Sequence, residues 1–339
     1  MTQGKSHLLE GKNIIVTGSS MGIGQAVAIT LAEEGANVVL NARGQQGLSE
    51  TMALMPANRI GKVVSYCGSV ADYALAGQLV ESCMDHFGHI DGLINCAGIA
   101  EPQGSSILDI AVEDWQELIN VHLHGTFNTC RHAAPLMKQQ GHGSIINTSS
   151  HAFMGMYGGT GYAAGKGGTN SLSLALSMDL KEHGINVNVI CPGAKTRLST
   201  GEDYENLIGD LNRRGLLDDS LMEASLNPPD PSYVAPLYAY LASSHAKEIT
   251  GRIFWAAGGY IGLFHRNPDQ LLAFKDHETS PPWKMQELIT KLHRKDLQKI
   301  EETCNVILST NNCRLLVKQK LLLKIANAAP VQWLMRLKN

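Results

Sequence analysis

Cysteine is scarce in this chain, and what there is lies scattered. The seven residues (Cys67, Cys83, Cys96, Cys130, Cys191, Cys304 and Cys313) are odd in number and never fall in a C-x-x-C spacing. Neither a disulfide framework nor a zinc site is indicated, and no metal is expected. Reduced thiols and a cytoplasmic location are the expectation. Long apolar runs are also missing, so no segment is suited to cross a bilayer. The opening residues, MTQGKSHLLEGK, lack the apolar stretch of a secretory signal. Nor is there an excess of one charge: 28 basic side chains against 31 acidic ones leave −3. That balance gives no reason to expect nucleic acid as a partner. With 44% apolar and only 17% charged residues, the composition is that of a globular protein with a substantial core. The length suits one large α/β domain or two smaller ones.

What the chain does have is a series of short turns, rich in glycine and hydroxyl groups, each at the end of an apolar run. Residues 13–16 are a β-branched strand that enters Thr17-Gly18-Ser19-Ser20-Met21-Gly22-Ile23-Gly24 and then a helical pattern over 25–34. Strand, glycine turn and helix in that order make the first half of a dinucleotide-binding βαβ unit. Glycines let the backbone approach a pyrophosphate, and the helix start offers free N–H groups. The spacing is G-x-x-x-G-x-G, which departs from the usual fingerprint. A second strand, 37–40, ends near Ala42 and Arg43. An acid at the strand end would bind a ribose hydroxyl and repel a 2′-phosphate. Neutral Ala42 followed by Arg43 favours the phosphate, because the guanidinium forms a bidentate, charge-assisted fork. A solvated loop arginine is the alternative.

Further strands are expected at 63–66 (ending in Ser69-Val70), 90–94 (running into Asn95-Cys96-Ala97-Gly98) and 144–147. Two more follow at 186–190 (before Pro192-Gly193 and Thr196) and 252–255. Helical patterns lie between them, over 72–86, 112–139, 162–183 and 234–243. Asn120 sits near the middle of the long helix, where asparagine usually caps, kinks or bonds the backbone. This alternation predicts an α/β, Rossmann-like, doubly wound parallel sheet of about seven strands. Ligands then sit at the carboxyl ends of the strands, where all the marked turns fall.

Residues 149–166, SSHAFMGMYGGTGYAAGK, bring the chemistry together. Tyr162 and Lys166 are four apart, so on a helix they share one face. A tyrosine is a poor acid–base catalyst at neutral pH because its pKa is about 10. A nearby ammonium stabilises the phenolate; reaching neutrality takes roughly 4 kcal/mol. A serine hydroxyl at the tip of the preceding strand completes a set that can orient and protonate a carbonyl oxygen. Taken alone, Y-x-x-x-K more often marks a surface pair on a helix.

The motifs are weak singly. The glycine turn, Asn95-Cys96-Ala97-Gly98, Asn120, the serine pair, Tyr162-x-x-x-Lys166 and Pro192-Gly193 together resemble the short-chain dehydrogenase/reductase family, in its order. The resemblance covers residues 8–262, taken as the Rossmann domain, and leaves 263–339 as a basic helical extension. It implies that Tyr162 is the general acid for reduction and base for oxidation. Lys166 would tune it and bond the nicotinamide ribose, a serine would hold the substrate oxygen, and Asn120 would hold a water leading to Lys166. Gly18, Ser20, Met21, Gly22, Ile23 and Gly24 would line the pyrophosphate and ribose, with Ser69 and Val70 flanking the adenine. Asn95 and Gly98 would border the nicotinamide ribose, and Pro192, Gly193 and Thr196 would pack on the nicotinamide. Departures are Cys96 in place of a second asparagine, Ser69 in place of an aspartate and Met21 in place of a basic residue. Anchoring on the strand selects Ser150 as the catalytic serine; counting back from Tyr162 selects Ser149. The short Pro-Gly turn and residues 256–262 look like the branch that contains the dehydrogenase domain of the multifunctional β-oxidation enzyme.

The cofactor expected is NADP(H), with NAD(H) as the alternative. The substrate is a small carbonyl or alcohol. Residues 198–232 are expected to form a substrate lid, and its acids (Glu202, Asp203, Glu205, Asp210, Asp218, Asp219, Glu223 and Asp230) outnumber Arg213 and Arg214. If they face the site they disfavour phosphate-bearing substrates; if they face solvent they do not. A neutral ketone or secondary alcohol therefore leads, with a 3-oxoacyl thioester on CoA or a carrier protein as the alternative. A non-catalytic NADP-binding or sensing protein is the reading from another class. Surplus apolar surface on the two central helices fits a homotetramer or homodimer. In the extension, 283–339 carries eleven basic residues against four acidic ones, so +7 there leaves −10 for the rest. A helix is expected to start at Ser280-Pro281-Pro282, and a second, mostly apolar one over 315–326. Packing on the acidic body of its own subunit or of a neighbouring one is favoured for the extension. Covering the lid or lying on an anionic membrane surface are the alternatives.

Overall fold

A computed structural model describes residues 7–102, 104–157, 159–264, 275–276 and 278–291. The expected second tail helix at 315–326 lies outside them. Contacts divide the chain into two compact units, Met1–Leu217 with Ser225–Arg266, and Asp218–Ala224 with Asn267–Asn339.

The first unit is built on one sheet. Its strands are β1 (Asn13–Thr17), β2 (Asn37–Ala42), β3 (Val63–Cys67), β4 (Gly92–Asn95), β5 (Gly143–Thr148), β6 (Ile185–Gly193), β7 (Ile253–Ala257) and β8 (Tyr260–Leu263). They lie in the order β3-β2-β1-β4-β5-β6-β7-β8. All neighbours are parallel except β7 and β8. The strand order therefore reverses between β1 and β4, and that is where a doubly wound sheet opens its crevice. The sheet has one more strand than expected. Ala257 pairs with Tyr260 across Gly258-Gly259, and a two-residue Gly-Gly loop is a hairpin signal.

Strand residues alternate between two apolar layers. Ile14, Val16, Val38, Leu40, Ile94, Ile146 and Ile190 face a cluster with Val27, Leu31, Leu237 and Tyr238. These come from α1 (Gly22–Glu33) and a helix at Ala235–Ala242. Ile15, Val39, Leu93, Ile145 and Val187 face Leu79, Val80, Cys83, Ala133 and Met137 on the other side. Burial on both faces explains why the strands read as continuous apolar runs. Each fully buried Ile, Val or Leu contributes roughly 1.5–3 kcal/mol.

The remaining helices of the described residues are α2 (Gln45–Ala53), α3 (Tyr73–Phe87), α4 (Val112–Ile119), α5 (Gly125–Gln140), α6 (Gly161–Asp179), α7 (Glu202–Arg213), α8 (Asp219–Leu226), α9 (Ala235–Ala242) and α10 (Met285–Lys291). The long helix expected over 112–139 is interrupted by a π-helical turn, Asn120–His124, in which Gly125 N–H donates to Asn120 O. Asn120 thus opens a local widening of the helix. The helix expected to run to 183 instead ends at Asp179, and a 3₁₀ turn, Lys181–His183, follows. The lid segment contains two helices. On α7, Ile208 and Leu211 are buried, while Glu202, Asp203 and Glu205 are exposed. Asp210 pairs with Arg213 at 2.7 Å and Arg214 at 3.3 Å. The α7 acids therefore face solvent.

In the second unit the tail helix starts later than Ser280. No helical turn forms at the two prolines, and Glu287 accepts the Lys284 N–H at 2.7 Å. The Lys275 ammonium meets Glu287 at 2.9 Å and lies 4.7 Å over the Trp283 ring.

Candidate active site

The β1–α1 turn is shaped by what its glycines leave out. Gly18 has φ +63°, and a Cβ there would lie 2.7 Å from Ala97 Cα. The turn consequently rests directly on residues 95–98 at the end of β4. A Cβ on Gly24 would lie 2.3 Å from Gly18 O, so α1 starts hard against the turn. Met21, the residue before α1, makes no side-chain cap bond and is 47% exposed. Ser19 Oγ accepts the Asn41 N–H at 2.9 Å, and Thr51 Oγ1 donates to Ser19 O at 3.0 Å, which ties the turn to β2 and α2. Ser20 lies under Gly47 of α2, and Thr196 lies 3.4 Å from the position a Gly22 Cβ would take. A backbone cradle with uncapped N–H groups at a helix start fits a pyrophosphate. At the end of β2, Arg43 is 61% exposed, and its contact to Glu117 is long, 3.9 Å. Such an exposed pair contributes little, so the guanidinium is available to a phosphate.

Beside this cradle is a buried polar network that the sequence did not reveal. Asn95 donates to Asn147 Oδ1 at 2.9 Å and accepts from Thr129 Oγ1 at 2.8 Å. Asn147 donates to Ser173 Oγ at 2.9 Å. Thr17 Oγ1 accepts the N–H groups of Cys96 and Ala97 at 3.1 and 3.2 Å. The ends of β1, β4 and β5 are thereby locked in register beside α5 and α6. Ser69 Oγ accepts the Ala71 N–H at 3.3 Å. Val70 is pinned by Asn128, which donates to Val70 O at 3.0 Å. Only tertiary packing marks Asn128, Thr129 and Asn147.

Ser149 and Ser150 are separated by their environments. Ser149 is 2% exposed and its hydroxyl donates to Lys166 O at 3.0 Å, so it is consumed inside the fold. Ser150 opens the 3₁₀ turn His151–Met154 and accepts the Ala152 N–H at 3.2 Å. Its hydroxyl also reaches the Tyr162 hydroxyl. Tyr162 and Lys166 are one turn apart on α6, with the Lys166 ammonium 5.7 Å from the Tyr162 ring centroid. That ammonium donates to Thr148 O at 2.9 Å, and the side chain is only 4% exposed.

The electrostatics correct one expectation. Lys166 was expected to lower the Tyr162 pKa. Instead burial raises the Tyr162 phenol above its ordinary value, and the Ser150 hydrogen bond only partly opposes this. Burial also pushes Lys166 down to about 8. Desolvation penalises both charged forms.

Asn120 lies on the π turn, and its Oδ1 bonds His124 Nδ1 at 2.9 Å; its side chain makes no direct hydrogen bond to Lys166. The same turn delivers His122, which its helical spacing marks only as part of the helix's inner face, into the site. Its ring meets the Tyr162 ring edge-on at 4.8 Å, and its Nε2 bonds Ile99 O at 3.0 Å. Burial and the Lys166 charge hold it neutral. A Cβ on Gly98 would lie 2.9 Å from His122 Cε1, so Gly98 makes room for the ring. Pro192 and Gly193 end β6, with Gly193 packed on Ala257. Burial raises the Tyr204 phenol on α7, with Tyr157 and Tyr162 close enough to add to the effect. Tyr204, Ile208 and Leu211 follow helical spacing, which marks the inward face of α7.

Among the described residues no helix is long and apolar enough to cross a membrane, and no cluster of ligands could hold a metal. The family model described as short chain dehydrogenase matches residues 12–203. A hydroxyacyl-CoA dehydrogenase of Mycobacterium tuberculosis is 31% identical, over 75% of this chain and 80% of its own. A D-beta-hydroxybutyrate dehydrogenase of Rhizobium meliloti is 34% identical, over 74% of this chain and 98% of its own. The crystal structure of a short chain dehydrogenase from Mycobacterium avium superposes with a TM-score of 0.68 and 30% identity, covering 86% of this chain and 96% of that one. With its sheet, crevice and Ser–Tyr–Lys cluster, the chain belongs to the short-chain dehydrogenase/reductase family, oxidoreductases that act on hydroxyl and carbonyl groups.

Proposed function

We propose that the chain is an NADP(H)-preferring oxidoreductase that interconverts a ketone and a secondary alcohol. One observation carries this reading: the Ser150 hydroxyl lies beside the Tyr162 phenol, with Lys166 buried one turn further along α6, at the carboxyl end of β5. Gly18, Ser20, Met21, Gly22, Ile23 and Gly24 hold the pyrophosphate, Ser69 and Val70 the adenine, and Arg43 the 2′-phosphate. Asn95, Gly98, Pro192, Gly193 and Thr196 surround the nicotinamide side. When bound, the nicotinamide supplies or accepts the hydride. Ser150 orients the substrate oxygen and Tyr162 donates a proton to it. The Lys166 ammonium stabilises the phenolate left behind, and Asn120 holds a water on the path that reprotonates it. In oxidation Tyr162 takes the proton back. A phenol kept protonated at neutral pH is ready for the reductive direction.

A 3-oxoacyl thioester is the second reading. Exposure of the α7 acids supports it, because side chains in solvent do not repel a phosphate-bearing substrate inside the site. The name of the mycobacterial hydroxyacyl-CoA relative points the same way.

The test is a steady-state screen of 2-alkanones, cyclic ketones and 3-oxoacyl thioesters with NADPH and NADH, with cofactor titrations of wild type and Arg43→Ala. A charge-assisted contact contributes roughly 1.5–3 kcal/mol, so NADPH should bind about ten- to a hundredfold tighter, and Arg43→Ala should erase that margin. Equal affinities in wild type would contradict the NADP assignment. NADPH binding without turnover of any substrate would favour the non-catalytic reading.

A further inference from the structure

The helix that carries Tyr162 has its first amides satisfied from far away in the sequence. Thr160, just before α6, makes no side-chain cap bond, and its own Oγ1 is buried without a partner. The acceptor is Glu101, on the loop that continues from Asn95 and Gly98. Glu101 Oε1 accepts the N–H groups of Thr160 at 2.9 Å and Gly161 at 3.1 Å, and Oε2 accepts the N–H of Tyr162 itself. One carboxylate thus meets three of the orphan donors at a helix start, where the helix dipole favours negative charge. A Cβ on Gly159 would lie 3.3 Å from Glu101 Cδ, so the side chain lies flat against the approach to α6. Ser105 Oγ lies 3.3 Å from Oε1 and 2.9 Å from Pro102 O, so its proton is shared between the carboxylate and the backbone.

We infer that Glu101 is a positioning residue that sets the Tyr162 phenol against the turn at 95–98. The inference rests on the reading of Tyr162 as proton donor. A cap for stability alone requires only that the helix start be satisfied. Here the acceptor also grips the backbone of the reacting residue and belongs to the loop that borders the nicotinamide side. Its loss should displace the phenol as well as fray the helix.

Glu101→Ala and Glu101→Gln are compared with wild type on the best ketone or 3-oxoacyl thioester of the panel, with NADPH. Glu101→Ala should lower kcat at least tenfold while the KM for NADPH stays within threefold. Amide hydrogen exchange should quicken in the peptide covering 159–166 and stay unchanged in the sheet. Glu101→Gln keeps one acceptor oxygen and should recover part of the rate. Wild-type kcat in both variants, or unchanged exchange at 159–166, would overturn the inference. If Glu101→Ala does not fold, the isosteric Gln variant decides. Tyr162→Phe run in parallel separates the two ideas. An active Phe variant removes the reading of Tyr162, whereas an inactive one beside fully active Glu101 variants removes only the role of Glu101.

Discussion

Lys166 keeps its charge inside the fold at a cost in stability. Its ammonium is 4% exposed and has one backbone acceptor. Burial lowers its pKa to about 8 from 10.5. The unfolded chain therefore binds more protons between those values, and the contribution of this residue to stability rises with pH through that window. At neutral pH holding the charge costs roughly 3 kcal/mol. Lys166→Met should accordingly raise the denaturant midpoint at pH 7, by the equivalent of about 1–3 kcal/mol, while abolishing turnover. Reduction by wild type should fall above pH 8 as the ammonium is lost. A Lys166→Met protein less stable than wild type at pH 7 would show that the charge is well solvated.

At the scale of elements, the end of the sheet opposite the site is fastened by Asp91, just before β4. It is 5% exposed, accepts from Lys12 Nζ at 2.8 Å and Asn13 N at 2.9 Å, and meets His89 and His142 at 3.0 and 3.2 Å. Burial raises its pKa, but the Lys12 and Asn13 hydrogen bonds and the charges of Lys12 and His89 outweigh this, so the carboxyl titrates below its ordinary value. Its stabilisation is thus present above the ordinary carboxylate pKa and is lost as pH falls through the lowered one. Asp91→Asn should cost roughly 2–4 kcal/mol at pH 7 by chemical denaturation, and the deficit should shrink toward pH 3. An equal deficit at both pH values would mean that the charge is irrelevant.

The same scale explains what was legible in the sequence. The turns after β1, β4, β5 and β6 were legible because glycine, asparagine and serine are needed there for local reasons. Gly-Gly before β8 carried a hairpin signal that went unread. Glu101, His122, Asn128 and Thr129 were not legible, because their partners lie 23 to 61 residues away and depend on which strands and helices become neighbours. The direction of the Tyr162 shift was not legible either, since spacing reports proximity to Lys166 but not burial.

For the whole molecule, α5 and α6 leave an apolar groove of about 270 Å³ lined by Phe127, Cys130, Ala134, Pro135, Leu176 and Leu180 among others. Phe127 is 45% exposed and Met178 69%. A symmetric pairing of these two helices would cover that surface. Light scattering at micromolar concentration should give a homodimer or homotetramer, and Phe127→Glu should shift it toward smaller species. A monomeric wild type would contradict the pairing.

The central claim is that Tyr162 moves the proton while the substrate carbon exchanges a hydride. Tyr162→Phe keeps the ring, its edge contact with His122 and the helix, and removes only the hydroxyl. Its kcat on the best substrate of the panel, measured beside its NADPH affinity, is the most direct test. The account predicts unchanged cofactor binding and a loss of about two decades or more in kcat. Retention of more than about a tenth of wild-type kcat would contradict it.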